Sequence, residues 1–206
     1  MDLALDTGIF LGYAHEPAYE TYHVECGRVL TSPAHRRFAS FSVEQELARR
    51  VRQRQRLYES LATHVAGGGR IGDFDLSPWN ASDASLGRRI MGEVGRAKPQ
   101  SLVTYLRLER QRFDLGLAEA RMRTEREVIP STTNYVLEAG LRTLLHDEDA
   151  RNVCEYLSWA RDRAESAFVA IDTGVRKKRG EILNLGRRHF DVDNPKWDVL
   201  HVADVP

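Results

Sequence analysis

Hydrophobic positions along this chain follow two rhythms. Near each end a short apolar run, "LAL" at residues 3–5 and "AFVAI" at 167–171, is too brief for a helix and carries no polar alternation. Such runs predict strands buried on both faces of a parallel sheet. Each run ends directly on an aspartate, Asp6 and Asp172. "RRFASFSV" (36–43) alternates with β-branched and aromatic character and predicts a third strand, and "RHFDVD" (188–193) a last one. Between them the period lengthens to three and four. A loose helical pattern opened by Pro17 covers 17–30. A firmer one covers 43–65, with Leu47, Val51, Leu57, Tyr58 and Leu61 on its apolar side, and Gly67, Gly68 and Gly69 stop it.

After a loop at 67–82, helices are predicted at about 83–95, 99–128 and 131–146, the last opened by Ser131 or Thr132 with Tyr135, Leu137, Leu141 and Leu144 apolar. A further helix at 147–165 places Val153, Leu157 and Ala160 on its core face with Tyr156 alongside, and "GVRKKRGEILNL" makes a short one. Strand–helix alternation at both ends of a helical middle reads as an α/β fold, a parallel sheet covered by helices.

The chain has 206 residues, which suits one large domain or one domain with an insertion. Thirty basic and thirty acidic residues cancel, so no global field advertises a nucleic-acid partner and any such partner must be held by local patches. Cys26 and Cys154 give neither a disulfide framework nor a zinc spacing, and a reducing, cytoplasmic setting is expected. No signal-peptide pattern opens the chain, and no apolar run approaches the ~20 residues of a membrane span.

The chemistry lies in a repeated phrase: "LALDTGIF" at 3–10 returns as "VAIDTGVR" at 169–176. An aspartic protease would need two apposed Asp-Thr-Gly loops on a nearly all-β frame. This chain is largely helical, and Ile9 and Val175 stand where small residues usually follow the protease glycine. The other reading follows from the sheet. Side chains at the carboxyl ends of parallel strands converge on one rim. Asp6 and Asp172 both belong there. Glu46, one short step past the second strand, and Asp149, at the opening of the 147–165 helix, suit the same place.

Four gathered carboxylates repel one another unless a cation neutralises them, and an all-oxygen set suits Mg²⁺ or Mn²⁺. Thr7 and Thr173 would then orient carboxylates or water. Competing readings stay open: Asp6 as a helix cap, Glu44 in place of Glu46, and Asp147, Glu148 or Asp149 as mere complements of a helix dipole. Asp191 and Asp193 read as turn residues.

The opening "LALDTGIFLGY", "SVEQELARR" after the second strand, "DARNVCEYLSWA" and the closing "AFVAIDTGV" resemble the PIN domain in order and spacing. The resemblance covers residues 1–60 and about 131–195. It implies a three-layer α/β/α sandwich and a metal-dependent ribonuclease with catalytic and metal-holding acids at Asp6, Glu46, Asp149 and Asp172. Residues 66–130 have no counterpart in compact versions and read as a helical insertion into a single domain. Two features depart from the family pattern: Gly8 stands where Asn or Ser is usual, and the last aspartate lies on "AIDTG".

RNA is thus the expected partner. A second copy of the chain and an antitoxin-like protein are the other partners considered, and an inactive PIN-fold scaffold that binds RNA or protein is the alternative function. A phosphoaspartyl hydrolase would want an Asp-x-Asp phrase after the first strand, which is missing. "RRVRQRQR" (49–56) places arginines all round a helix and reads as a solvated face, part of which could hold phosphates. In 99–128 the alternation of Arg107, Arg110, Arg112, Arg121 and Arg123 with acids reads as an exposed ion-paired helix, or as a substrate clamp or dimer arm. The seven histidines do not cluster, and no catalytic one is assigned. Trp79, Trp159 and Trp197 read as packing residues, with Trp79 the best candidate for base stacking.

Overall fold

The computed structural model describes residues 1–15, 19–97, 101–163, 165–192 and 195–206. Four strands, β1 (Asp2–Leu5), β2 (Arg36–Ala39), β3 (Ser166–Ala170) and β4 (Trp197–His201), form one parallel sheet in the order β2-β1-β3-β4. The two central strands are the two apolar runs that end on aspartates. They pair in register, Leu3 with Ala167 and Leu5 with Val169.

Alternate side chains of these strands feed two separate cores, because successive residues of a strand point to opposite faces. Leu3, Leu5, Ala167 and Val169 pack beneath helices α1 (Thr7–Ala14), α2 (His23–Thr31), α3 (Phe41–Ala66), α4 (Ala81–Ala97) and α5 (Leu102–Met122). Ala4, Phe168 and Ala170 pack on the other face under α6 (Tyr135–Arg142), α7 (Asp147–Ala160), α8 (Thr173–Lys177) and α9 (Arg179–Phe190). The chain is therefore a mixed α/β protein with helices on both faces of a four-stranded parallel sheet. No helix among the described residues is long and apolar enough to cross a membrane.

Several boundaries differ from the sequence expectation, each for a local reason. The strand expected at 36–43 stops at Ala39, because the Ser40 hydroxyl accepts the Val43 amide at 3.3 Å and starts α3. A good N-cap outweighs the β-propensity of the residues after it. The strand expected at 188–193 is not formed. Helix α9 runs through Phe190 and is closed by Asp191 in the left-handed region, φ 53°, while the last strand is "WDVLH". Asp191 is thus a helix terminator, and Asp193 lies outside the described residues, as does Pro17.

The helix expected at 131–146 is shorter: Asn134, rather than Ser131 or Thr132, accepts the Leu137 amide and caps α6, and Tyr135 faces solvent. Helix α7 ends at Ala160, and the "GVRKKRGEILNL" stretch breaks into α8 and α9 at Lys178.

Residues 66–130 are not a loose appendage. Leu86, Ile90 and Val94 of α4 and Leu106, Phe113, Leu117 and Ala120 of α5 are buried in the first core. Beyond α5 the chain returns along the outer edge of β2, where the Ile129 amide donates to Ala39 O at 2.9 Å. That covers a sheet edge which would otherwise be open. Helix α5 is ion-paired as its charge pattern suggests, Arg112 with Glu109, Arg121 with Glu44 and Arg123 with Glu119. Its opposite side is core, so it lies against the body.

Candidate functional site

Both Asp-Thr-Gly phrases fold the same way. The strand ends, the aspartate sits in extended backbone, and a helix starts at the threonine. Asp6 accepts the Gly8 amide at 3.2 Å, and Asp172 accepts the amides of Gly174 and Val175. Each aspartate is therefore a helix N-cap as well as a residue on the carboxyl rim of the sheet. The cap reading of Asp6 and its rim position are compatible, since the cap occupies only one of the two carboxylate oxygens.

The glycines permit this geometry. A Cβ on Gly8 would stand 2.6 Å from Ile171 Cγ1, and one on Gly174 would stand 2.7 Å from Asp172 Oδ1. The Ile171 side chain, in the β3–α8 connection, leaves no room for a larger residue at Gly8. Gly8→Ala is expected to lower stability by about 1–3 kcal/mol, the usual effect of overpacking. A urea melt checks this, and an unchanged midpoint would show that Ile171 yields freely.

Pairing of β1 with β3 continues one step past Leu5, where the Asp6 amide donates to Val169 O at 2.9 Å. This brings the two aspartates to one rim. There a cleft of about 420 Å³ is lined by Asp6, Thr7, Glu46, Asp149, Asp172 and Thr173, among others. All four acids singled out from the sequence, and both threonines, share it. Their competitors are engaged elsewhere: Glu44 pairs with Arg121 at 2.7 Å, Glu148 pairs with Arg49 and Arg50, and Asp147 is 78% exposed.

Hydrogen bonds order the cleft. The Thr7 hydroxyl donates to Glu46 Oε2 at 3.0 Å. Buried Asn152, one turn beyond Asp149 on α7, reaches Asp6 Oδ1 at 3.3 Å and Glu46 Oε2 at 3.4 Å through Nδ2. The Arg50 Nε lies 3.4 Å from Glu46 Oε1. Burial, with Glu46 and Asp149 adding repulsion, pushes the Asp6 carboxyl up to about 7 against the pull of the Gly8 and Thr7 amides. Asp149 is pushed up to about 6, again first by burial and then by Asp172 and Glu46, with His146 opposing.

Among the described residues no three His, Cys, Asp or Glu side chains form a ready-made metal-holding group. Glu46 is held by Thr7, Asn152 and Arg50, and Asp172 is turned back onto its own helix. The donor set remains all oxygen. Mg²⁺ commonly takes one or two carboxylates directly and keeps several waters, an arrangement that needs no closed cage.

Glu20 and Ser82 on the cleft and Asn152 behind it went unnoticed in the sequence, where Arg50 and Arg54, also on the cleft, figure only as part of the run 49–56. Asn152 had a signal, a polar residue beside Val153 on the core side of its helix. Arg54 corrects the expectation of a fully solvated "RRVRQRQR" face, being 5% exposed and paired with Asp83 at 3.0 Å. Glu20 and Ser82 carried no signal. No histidine lines the cleft. The tryptophans pack: Trp79 against the first core, Trp159 and Trp197 in the second.

A neighbouring groove of about 330 Å³ continues from Glu46 and Asn152 across Ser42, Gln45, Arg49, Arg52, Glu148 and Arg151. Compared with protein-family models, curated proteins and solved structures, the chain finds no match.

Proposed function

We propose that this chain is a PIN-like, metal-dependent endoribonuclease. The observation that carries the reading is the convergence of Asp6, Glu46, Asp149 and Asp172, from four separate parts of the sequence, on one cleft at the carboxyl ends of the sheet. Asp6 and Asp149 are pushed up to about 7 and about 6 there, a strain that a divalent cation relieves. The four acids would hold Mg²⁺ or Mn²⁺, some through water. A bound ion of this kind supplies an activated water and neutralises charge on a phosphodiester.

The chain's own residues do the rest. Thr7 and Asn152 fix the Glu46 carboxylate, and Asn152 also fixes Asp6. Arg50, on the same cleft, balances Glu46 and is placed to meet a phosphate. The arginine-bearing groove beside Glu46 supports a nucleic-acid strand as substrate, since Arg49, Arg52 and Arg151 offer charge along one path. The reducing, cytoplasmic setting belongs to the same proposal and accords with two buried free cysteines.

A second reading has an observation in its favour: Glu46 and Asp172 already have protein donors, which suits an inactive scaffold that binds RNA or protein. The two part on one assay. The ribonuclease cuts single-stranded RNA in Mn²⁺ or Mg²⁺, stops in EDTA, and loses at least a hundredfold in rate on Asp172→Asn, about 3 kcal/mol of transition-state stabilisation. A folded protein that binds RNA and never cuts it in either ion is the scaffold.

A further inference from the structure

We propose that Arg54 and Ser82, assisted by Arg50, form a phosphate-holding pocket at the α4 end of the acidic cleft, which receives the phosphodiester next to the one that is cut. This rests on the ribonuclease reading and assigns a role to residues 66–130.

Arg54 follows Glu46 by eight positions on α3, two turns along the helix, so both side chains reach the same cleft. The Cα positions are about 12 Å apart along the axis at 1.5 Å per residue. Arg54 is buried to 5% exposure yet borders the cleft. Its Nε faces Asp83 Oδ1 at 3.0 Å, its Nη2 donates to Ser82 Oγ at 2.9 Å, and its Nη1 has no hydrogen-bond partner among the described residues.

An unmade hydrogen bond from a buried guanidinium is costly; Nη1 is itself covered, so an arriving acceptor reaches it only when the side chains over it move. Asp83 does not wrap the fork, since its Oδ2 is taken by Asn80 Nδ2. Ser82 accepts from Arg54 and so has its own proton to donate outward. Both Ser82 and Asp83 lie in the first turn of α4, a 17-residue helix whose start favours an anion.

Charge around the pocket is mixed. Glu20 lies on the cleft, 4.0 Å from Arg89 Nη1. Arg54 and Arg89 are set against Asp83 and Glu20, and Arg50 against Glu46, so charge at this end is balanced, while Asp6, Asp149 and Asp172 stand at the opposite end. A phosphate is the tetrahedral acceptor that a guanidinium edge, a hydroxyl and a helix start recognise together. The partners of Arg54 come from the segment that the compact fold would lack, so that segment completes the pocket.

The test separates this pocket from the ribonuclease reading. Arg54→Met combined with Asp83→Asn removes both buried charges together, and Ser82→Ala leaves the ion pair in place; circular dichroism verifies both folds. The probe is a short fluorescent single-stranded oligoribonucleotide in Ca²⁺ buffer, titrated across a series of KCl concentrations. The paired variant is expected to bind about tenfold more weakly, with the slope of log K against log salt reduced by about 0.7, the share of one contact on a single strand. Ser82→Ala is expected to lose a few-fold. Inorganic phosphate should compete with the oligonucleotide on the wild type and lose that effect on the paired variant. A folded paired variant with wild-type affinity and slope overturns the pocket, whatever the cleavage assay shows. A wild type that does not bind the oligonucleotide overturns it as well. If the wild type binds, the paired variant does not, and neither cuts in Mn²⁺, the pocket stands and the ribonuclease reading falls.

Discussion

Asp6→Asn is expected to abolish metal-dependent cutting while making the metal-free protein more stable above neutral pH. The two effects share one cause. In the folded chain burial and the neighbouring acids raise the Asp6 carboxyl from the ordinary 3.8 to about 7. Between those values the folded state binds a proton that the unfolded state has released. Stability must therefore fall as pH rises from about 4 to 7, with the full penalty present above that window and none below it. At ~1.4 kcal/mol per unit the penalty is about 2–4 kcal/mol, the lower end allowing for the partial exposure of the carboxyl. Asparagine keeps the cap acceptor for the Gly8 amide and removes the charge.

In EDTA the variant should then melt several degrees above the wild type at pH 8, the difference shrinking toward pH 4 to 5. Mn²⁺ should raise the wild-type melting temperature at pH 8 and do little for the variant, because an ion that binds only the folded state stabilises by mass action. Thermal melts at pH 5 and pH 8, with and without Mn²⁺, read all of this. A wild type equally stable at both pH values in EDTA would show that the four acids do not crowd one another, and the metal proposal would lose its physical basis.

How much of this site was legible beforehand depends on how local each signal is. Asp6 and Asp172 could be found because each combines three local features: an apolar strand before it, a capping carboxylate, and a glycine two residues on. Those features act within five residues and survive in the bare sequence. Glu46 was legible as a residue one turn into a helix, but its choice over Glu44 is a matter of helix phase. In the structure Glu46 turns toward Thr7 and Glu44 toward Arg121. The sheet's central pair was readable for a similar reason, since continuous apolar runs have few other homes.

Failures arose where a capping side chain or a distant partner overrode the pattern. The β-like alternation of 36–43 continues past Ala39 on paper, yet one hydroxyl at Ser40 ends the strand. "RHFDVD" looks like a strand until Asp191 takes the left-handed conformation that closes α9. Arg54 was read as solvated because its seven-residue surroundings are charged. Its burial is decided by Asp83, 29 positions away, on a helix whose placement no local pattern specifies.

That ion pair leads to the second large effect. Arg54→Met alone is expected to destabilise the protein by about 3–5 kcal/mol, the usual result of stranding one half of a buried pair. The Arg54 and Asp83 side chains are 6% and 1% exposed, so little water can replace the lost partner. Asp83 would keep Asn80 Nδ2 and the backbone link from Asn80 Oδ1 to its own amide, which hold the start of α4 but do not neutralise the charge. Adding Asp83→Asn should recover much of the loss, because it removes the stranded buried charge while its amide oxygen can still accept from Asn80 Nδ2. Urea melts of the two single variants and the double complete the cycle. A coupling energy below ~0.5 kcal/mol would mean that the charges are screened by water after all, and that α4 is held to α3 by its apolar face alone. A large coupling shows that α4 and the acidic cleft are joined through a desolvated charge, so that changes in residues 66–130 can reach the site through Arg54 even where they touch no acid.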